Sequence, residues 1–521
     1  MPNGWDVIVA GAGSAGAPLA ARLAATGRRV LLLEAGPDYR SAAMPEVWRS
    51  ANPGRALGAP AASAGLVWPD VVATRTDKQE AALYWRGRGT GGSSAINGQI
   101  AIRPPLDDFS DWAAQGCTGW SPDDVLPYFC RLEDDELFGA APYHGQGGPT
   151  PIHRMQRADW GSVDTALCEA ALAAGHGWAD DVNAPGAQGV SPYPINSRDG
   201  RRVTVNDGYL EPARDTRNLT IVGGAVVDRV LWQGNRATGV RYLAADGAHE
   251  DSADLVVVSA GAVHSPGILM RSGLGPASQL RALDIDVLAD LPVGHGLQDH
   301  PMALIAIPLT AESAIASPDA RHTNVCVRYR SAPEARPLDM MLVSLNQNLL
   351  SMQGADLRFG AGAFGVWLNQ AFSRGSVTLT SPDPARQPEI RESMLSDERD
   401  RARLREGIRA LAELARGDAV AAISDGPLEA ANEGLFAALD DDARLDDHLM
   451  ATVVDAQHAT STCRMGSPDD PATVVDPQCQ VLGVSGLRVV DASIFPSVPR
   501  ANTNLTAIMT GELMAERLSL G

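Results

Sequence analysis

The chain opens with a period of apolar runs and glycine-rich turns that predicts strand, loop, helix and strand within 36 residues. Trp5 to Ala10 reads as a strand, and its unbroken apolar run is the kind buried on both faces of a parallel sheet. An Ala/Leu helix is predicted from about Ser14 to Ala25, and a second strand from Arg29 to Glu34. Further on, the β-rich stretches Leu219–Tyr242 and Leu255–Ala260 are expected to return to the same sheet. Between 300 and 390 the alternation in Asp339–Leu345 and Ser376–Thr380 predicts a separate, largely antiparallel sheet. Ser396 is placed to cap a packing helix whose Leu404, Ile408, Leu411 and Leu414 follow helical spacing. Residues 45–85 are Pro/Gly/Ala-rich and read as an extended excursion, and Asp440 to Asp442 as a solvated loop.

The first turn has chemistry of its own. Gly11, Gly13 and Gly16 form a G-x-G-x-x-G pattern. Gly11 permits the tight turn, Gly13 lets backbone N–H groups approach a pyrophosphate, and Gly16 lets helix and strand pack closely. Glu34, 18 residues beyond Gly16, ends the second strand. There it is suited to accept ribose hydroxyls and to disfavour a 2′-phosphate. The pattern predicts a dinucleotide site in a Rossmann-like domain, within an α/β protein that is α+β overall.

Composition narrows the function. The 521 residues exceed one compact core, so at least two domains are expected. The formal charge of −20 repels phosphate backbones and anionic membranes, so neither nucleic acid nor membrane is an expected partner. Lys78 is the sole lysine, which removes most lysine-based covalent chemistry. The six cysteines are scattered without a CxxC pair, so no metal site and no disulfide scaffold is expected. The chain lacks a recognisable leader and an apolar run near the ~20 residues of a membrane span, and is read as soluble and cytoplasmic.

Three later segments carry more. They are Gly87–Asn97 with Asp107, Asp111 and Trp112; Gly261–Gly275; and His458–Gly466 followed by Val490–Ser493 and Asn502–Asn504. Together with the first turn, and in this order, they resemble the glucose–methanol–choline (GMC) oxidoreductases, flavoenzymes that oxidise alcohols with FAD. The resemblance runs from Val7 to the C-terminal helix. It implies a discontinuous FAD-binding domain (1–155, 205–300 and 460–521). It also implies a substrate domain (156–204 and 301–459) built on a mainly antiparallel sheet with helices.

The resemblance implies Asn97 beside the flavin, Val227 near the adenine, and Asp491 and Ala492 near the pyrophosphate and ribityl end. It adds Ser14, Ala35, Arg88, Gly92, Ser93, Ala260 and Thr503 to the cofactor set. Some members attach flavin covalently to a histidine; Ile96 stands at that position, so non-covalent FAD is expected. Ser461 stands where the family has Gly, Gly296 where it has Asn, and Thr90 where it has an aliphatic residue.

Alcohol oxidation needs a base for the hydroxyl proton, and a neutral histidine is suited to that near pH 7. Of ten histidines, His144, His264, His322 and His448 are expected to be structural or exposed. His458 opens the segment that resembles the family's catalytic motif, which makes it the expected base, with Asn502 as the hydrogen-bonding partner of the substrate oxygen. Asn504 reads as an amide holding a turn. The middle of the chain looks closest to members that oxidise a hydroxymethyl group on an aromatic ring. Trp367 is a candidate to stack on such a ring, although a core tryptophan explains it as well, and Asn369 and Gln457 are candidate pocket residues.

The expected partners are thus a small alcohol and O2, which would give hydrogen peroxide. A dehydrogenase passing electrons to a quinone or another acceptor, a flavin-containing hydroxynitrile lyase, a silent flavin-binding scaffold and a nicotinamide enzyme are the alternatives.

Overall fold

The computed structural model describes residues 4–57, 65–317, 319–347 and 361–520. A seven-stranded sheet is started by Trp5–Ala10. On one side of that strand lie Val30–Glu34 and then Leu219–Gly223, all parallel. On the other side lies the long strand Gly247–Val258, parallel to Trp5–Ala10. Its far edge is shared. The N-terminal half pairs antiparallel with Arg236–Ala244, which pairs with Val226–Gln233, while Val256–Val258 pair parallel with Leu487–Val489. Val7, Ile8, Val9, Leu32 and Val256–Val258 are fully buried, as strands covered on both faces require. The helix Gly16–Ala25 lies between this sheet and the C-terminal helix Thr503–Leu520, where Arg22 pairs with the buried Glu512 at 2.8 Å.

A six-stranded sheet stands apart, in the order 454–455, 301–308, 361–368, 340–345, 325–329, 189–192. All its pairings are antiparallel. Alternation assigns its faces. Phe364, Val366 and Leu368 pack beneath the helices Ser162–Ala173 and Glu398–Ala415, whereas Met302, Val343 and Trp367 form a separate cluster on the opposite face. Leu404, Ile408 and Leu411 are fully buried on the longer helix. Each contributes about 1.5–3 kcal/mol through burial.

Several local expectations change. Asp397, not Ser396, caps that helix, its carboxylate accepting from the Arg399 N–H. Gly375–Thr378 joins a small sheet with His295–Leu297 and Glu389–Arg391 rather than the larger one. The Asp440–Asp442 acids are not simply a solvated loop, because Asp441 caps the helix Asp442–Thr452. The excursion at 45–85 contains the short helices Glu46–Arg49 and Gly54–Leu57. All six cysteines are free, and among the described residues no helix is long and apolar enough to cross a membrane.

Candidate active site

A cavity of about 370 Å³ runs between the two sheets. Its cofactor-like part is shaped by backbone. Gly11 adopts φ +115°, and a methyl group there would lie 2.3 Å from the Ser259 carbonyl oxygen. Gly92 adopts φ +51°, and a methyl group there would meet Gly13 Cα at 2.6 Å, so the two glycine loops touch as only glycines can. Glu34 is buried, and its carboxylate accepts from the amides of Ala12 (2.9 Å), Gly36 (2.9 Å) and Gly89 (2.8 Å). Burial raises its pKa, and the three amides oppose the shift. Glu34 therefore ties the first loop to the second as well as facing the cavity. Asp491 does the same for the third segment, accepting from Gly261 N (2.8 Å), Ser265 Oγ (2.5 Å) and Ser493 N (2.8 Å).

Gly11, Gly13, Ser14, Glu34, Ala35, Gly92, Ser93, Asn97, Val227, Ala260, Asp491, Ala492, Asn502 and Thr503 all line the cavity. Gly16 and Arg88 do not. A methyl at Gly16 would meet Gly11 O at 2.0 Å, so its part is close packing, and Arg88 lies with its guanidinium 5.0 Å from the Trp68 ring. Asn504 is more than a turn residue: it lines the cavity and accepts from Ser14 Oγ at 2.8 Å.

The other end of the cavity is built around His458. Gln457 takes φ +66°, its carbonyl accepting from Arg86 at 2.8 Å, which aims the next residue into the cavity. Ser461, where glycine was expected, takes φ +73°. The position is left-handed, and the serine carries that conformation at a cost of roughly 1–2 kcal/mol. His458 Nε2 lies 3.1 Å from Asn502 Nδ2, and its Nδ1 lies 2.9 Å from Nδ1 of His300. His300 Nε2 lies 3.1 Å from the Pro499 carbonyl.

These partners assign the protons. A carbonyl only accepts, so His300 Nε2 carries a hydrogen. Burial pushes the His300 pKa down to about 4, so the ring is neutral and its Nδ1 is a bare acceptor. His458 must then donate from Nδ1, which leaves the lone pair on Nε2, towards Asn502. Burial, followed by the neighbouring His300 and Arg86, also holds His458 well below its ordinary pKa. The arrangement is a neutral base of fixed tautomer with an amide N–H beside it. Trp367 meets the His458 ring edge-on at 5.6 Å and stacks on His300 at 5.8 Å.

Trp367 and Gln457 line the cavity; Asn369 does not. The strand ends at Leu368, so alternation is lost, and the fully buried Asn369 accepts from Trp367 Nε1 at 2.5 Å and donates to the Leu338 carbonyl. It supports the tryptophan from behind. Against expectation, His264 and His322 line the cavity. His264 packs against Trp68 at 4.6 Å and is pushed to about pKa 4 by burial. His300 was not singled out from sequence. Its only signal was a place in the segment Val293–His300, far from His458 along the chain.

A G-x-G-x-x-G sheet and a glycine cradle define a dinucleotide-binding protein, with a neutral histidine–amide pair facing the same cavity. The comparisons with known proteins name the family. Two models described as GMC oxidoreductase match residues 5–302 and 371–511, and the chain belongs to that family. It is 35% identical to 5-(hydroxymethyl)furfural oxidase of Methylovorus sp. (strain MP688), over 99% of this chain and 98% of that protein. It is likewise 35% identical to an oxygen-dependent choline dehydrogenase of Pseudomonas aeruginosa (strain LESB58), covering 99% and 95%. Among solved structures, pyridoxine 4-oxidase from Mesorbium loti superposes with a TM-score of 0.88 at 30% identity, covering 99% of both chains. The protein is an FAD-dependent GMC oxidoreductase, and the cavity fits that cofactor: its glycine-walled half leaves room only where side chains are absent.

Proposed function

We propose that the protein oxidises a primary alcohol on a small aryl or heteroaryl ring to the aldehyde, with O2 reduced to hydrogen peroxide. The carrying observation is the bare Nε2 of His458, presented on the cavity wall beside the Asn502 amide and the Trp367 ring. Residues 1–155, 205–300 and 460–521 form the FAD-binding part in this reading, and 156–204 and 301–459 the substrate part. FAD, held without a covalent bond because Ile96 offers no nucleophile, supplies the acceptor for the hydride from the alcohol carbon.

The chain's own residues do the rest. Asn502 Nδ2 donates to Nε2. An entering hydroxyl takes that place, and the amide N–H turns to the substrate oxygen. His458 then removes the hydroxyl proton as the hydride leaves, so that no free alkoxide accumulates. The apolar wall of Met302, Val343, Leu345 and Trp367 excludes water and accommodates a flat ring.

Both named oxidases act, by name, on hydroxymethyl-bearing aromatic compounds or their close kin, which supports the ring preference. The test is anaerobic stopped-flow mixing with benzylic, furanic and pyridinyl alcohols, followed by air. Loss of the flavin band and its return with peroxide is the expected course. Bleaching without return in air would replace O2 by another acceptor. No bleaching by any alcohol would sink the reading and favour a lyase.

A further inference from the structure

Outside the glycine-walled half, the proposed reaction uses only the His458–Asn502 pair among the polar side chains that line the cavity. His322 and Thr323 also line it, 7% and 4% exposed. His322 Nδ1 and Thr323 Oγ1 are buried and have no hydrogen-bond partner among the described residues. A buried polar atom left unpaired costs about 1–3 kcal/mol. Two such atoms on consecutive cavity-lining residues mark a place where a ligand group completes the bonding.

Two buried guanidiniums stand near them, with Asp207 and Asp164 as their more distant carboxylate neighbours. Arg202 and Arg321 are 6% and 5% exposed. Arg202 donates to the Ser94 carbonyl (3.2 Å) and Asn97 Oδ1 (2.9 Å), and Arg321 to the carbonyls of Ala51 (3.0 Å) and Gly98. Neither has a carboxylate within ion-pair distance among the described residues. Burial, then these two guanidiniums, keeps His322 well below its usual pKa, so its ring is neutral. The field there favours electron-rich oxygen and opposes cations.

Resting on the aryl-alcohol reading above, we infer that His322 and Thr323 form a second recognition pole, and that the substrate is an aromatic alcohol bearing a carbonyl or carboxylate elsewhere on its ring. Thr323 donates its hydroxyl hydrogen to that oxygen and the neutral His322 ring completes the contact. A quaternary ammonium alcohol such as choline is disfavoured by the same two arginines.

The test measures flavin reduction per bound substrate (limiting rate over dissociation constant) for benzyl alcohol, 5-(hydroxymethyl)furfural, 4-(hydroxymethyl)benzoate and choline. It uses the wild-type holoenzyme and the variants Thr323→Val and His322→Leu, each checked for flavin content. Comparing each variant with wild type on one substrate at a time cancels the electronic effect of the ring substituent. The expected result is a loss on the two acceptor-bearing alcohols at least tenfold greater than the loss on benzyl alcohol, with choline poorest for the wild type. Equal losses on all aromatic alcohols, or none, would overturn the second pole while leaving the aryl-alcohol reading intact. Choline reduced faster than every aromatic alcohol would overturn both.

Discussion

Nδ1 of His300 faces Nδ1 of His458 at 2.9 Å, two like atoms of which only one can carry the hydrogen. The Pro499 carbonyl settles which, because it commits the hydrogen of His300 to the far nitrogen. The tautomer of His458 is thus set by a backbone oxygen two hydrogen bonds removed from its ring.

In the proposed reaction His300 is accordingly a positioning residue. His300→Ala is expected to lower the limiting rate of flavin reduction by about 10²-fold, with FAD still bound. His300→Gln, whose amide oxygen accepts in place of Nδ1, is expected to recover part of the loss. With His300 removed, the Nδ1 hydrogen of His458 loses its fixed acceptor, and the acid limb of the rate profile should shift. A rate loss with an unmoved pH profile would reduce His300 to packing.

His458→Ala is expected to retain FAD and to lower the reductive rate by ~10²–10⁴. Stopped-flow absorbance on the purified variant decides it. Near-normal reduction would remove His458 from its role.

The pH dependence follows from the sign of the shift. In the proposed reaction His458 acts only when neutral, and its folded pKa lies below the ordinary ~6.5 because the ring is buried. Acidification through 6.5 therefore leaves it unprotonated, and the limiting reduction rate should stay flat there, falling only at lower pH as the depressed pKa is crossed. A half-maximal rate at 6.5 would mean a base that is solvated in the working enzyme.

Ser461→Gly is expected to raise stability. A left-handed serine costs about 1–2 kcal/mol and glycine returns about 0.5–1 of that as lost backbone entropy, leaving a gain of about 0.5 kcal/mol. Thermal denaturation of the two holoproteins measures it; a lower midpoint would show that the bond from Ser461 Oγ to Thr460 matters more.

What could be read from sequence was local. Gly11, Gly13 and Glu34 are legible because a tight turn and a strand end fix their residue types over a few positions. The pairing of His458 with Asn502 was legible only through the family resemblance, since nothing in the 43 intervening positions foretells a 3.1 Å contact. His300 and His322 escaped because each acquires its meaning from strands far away in the chain. Asn369, expected as a pocket residue, lies just past the end of the strand at Leu368, and its side chain turns to Trp367 Nε1 and the Leu338 carbonyl instead.

The sheet begun by Trp5–Ala10 is closed by Leu487–Val489, and the first helix is covered by Thr503–Leu520, with Glu512 as partner of Arg22. During synthesis at ~5–20 residues per second, the nascent chain waits on the order of 25–100 s between making the first strand and the last. Throughout that interval an apolar helix face lies uncovered and a cofactor cradle lacks Asp491. A chain cut before Leu487 is therefore expected to lose flavin retention together with stability, not rate alone.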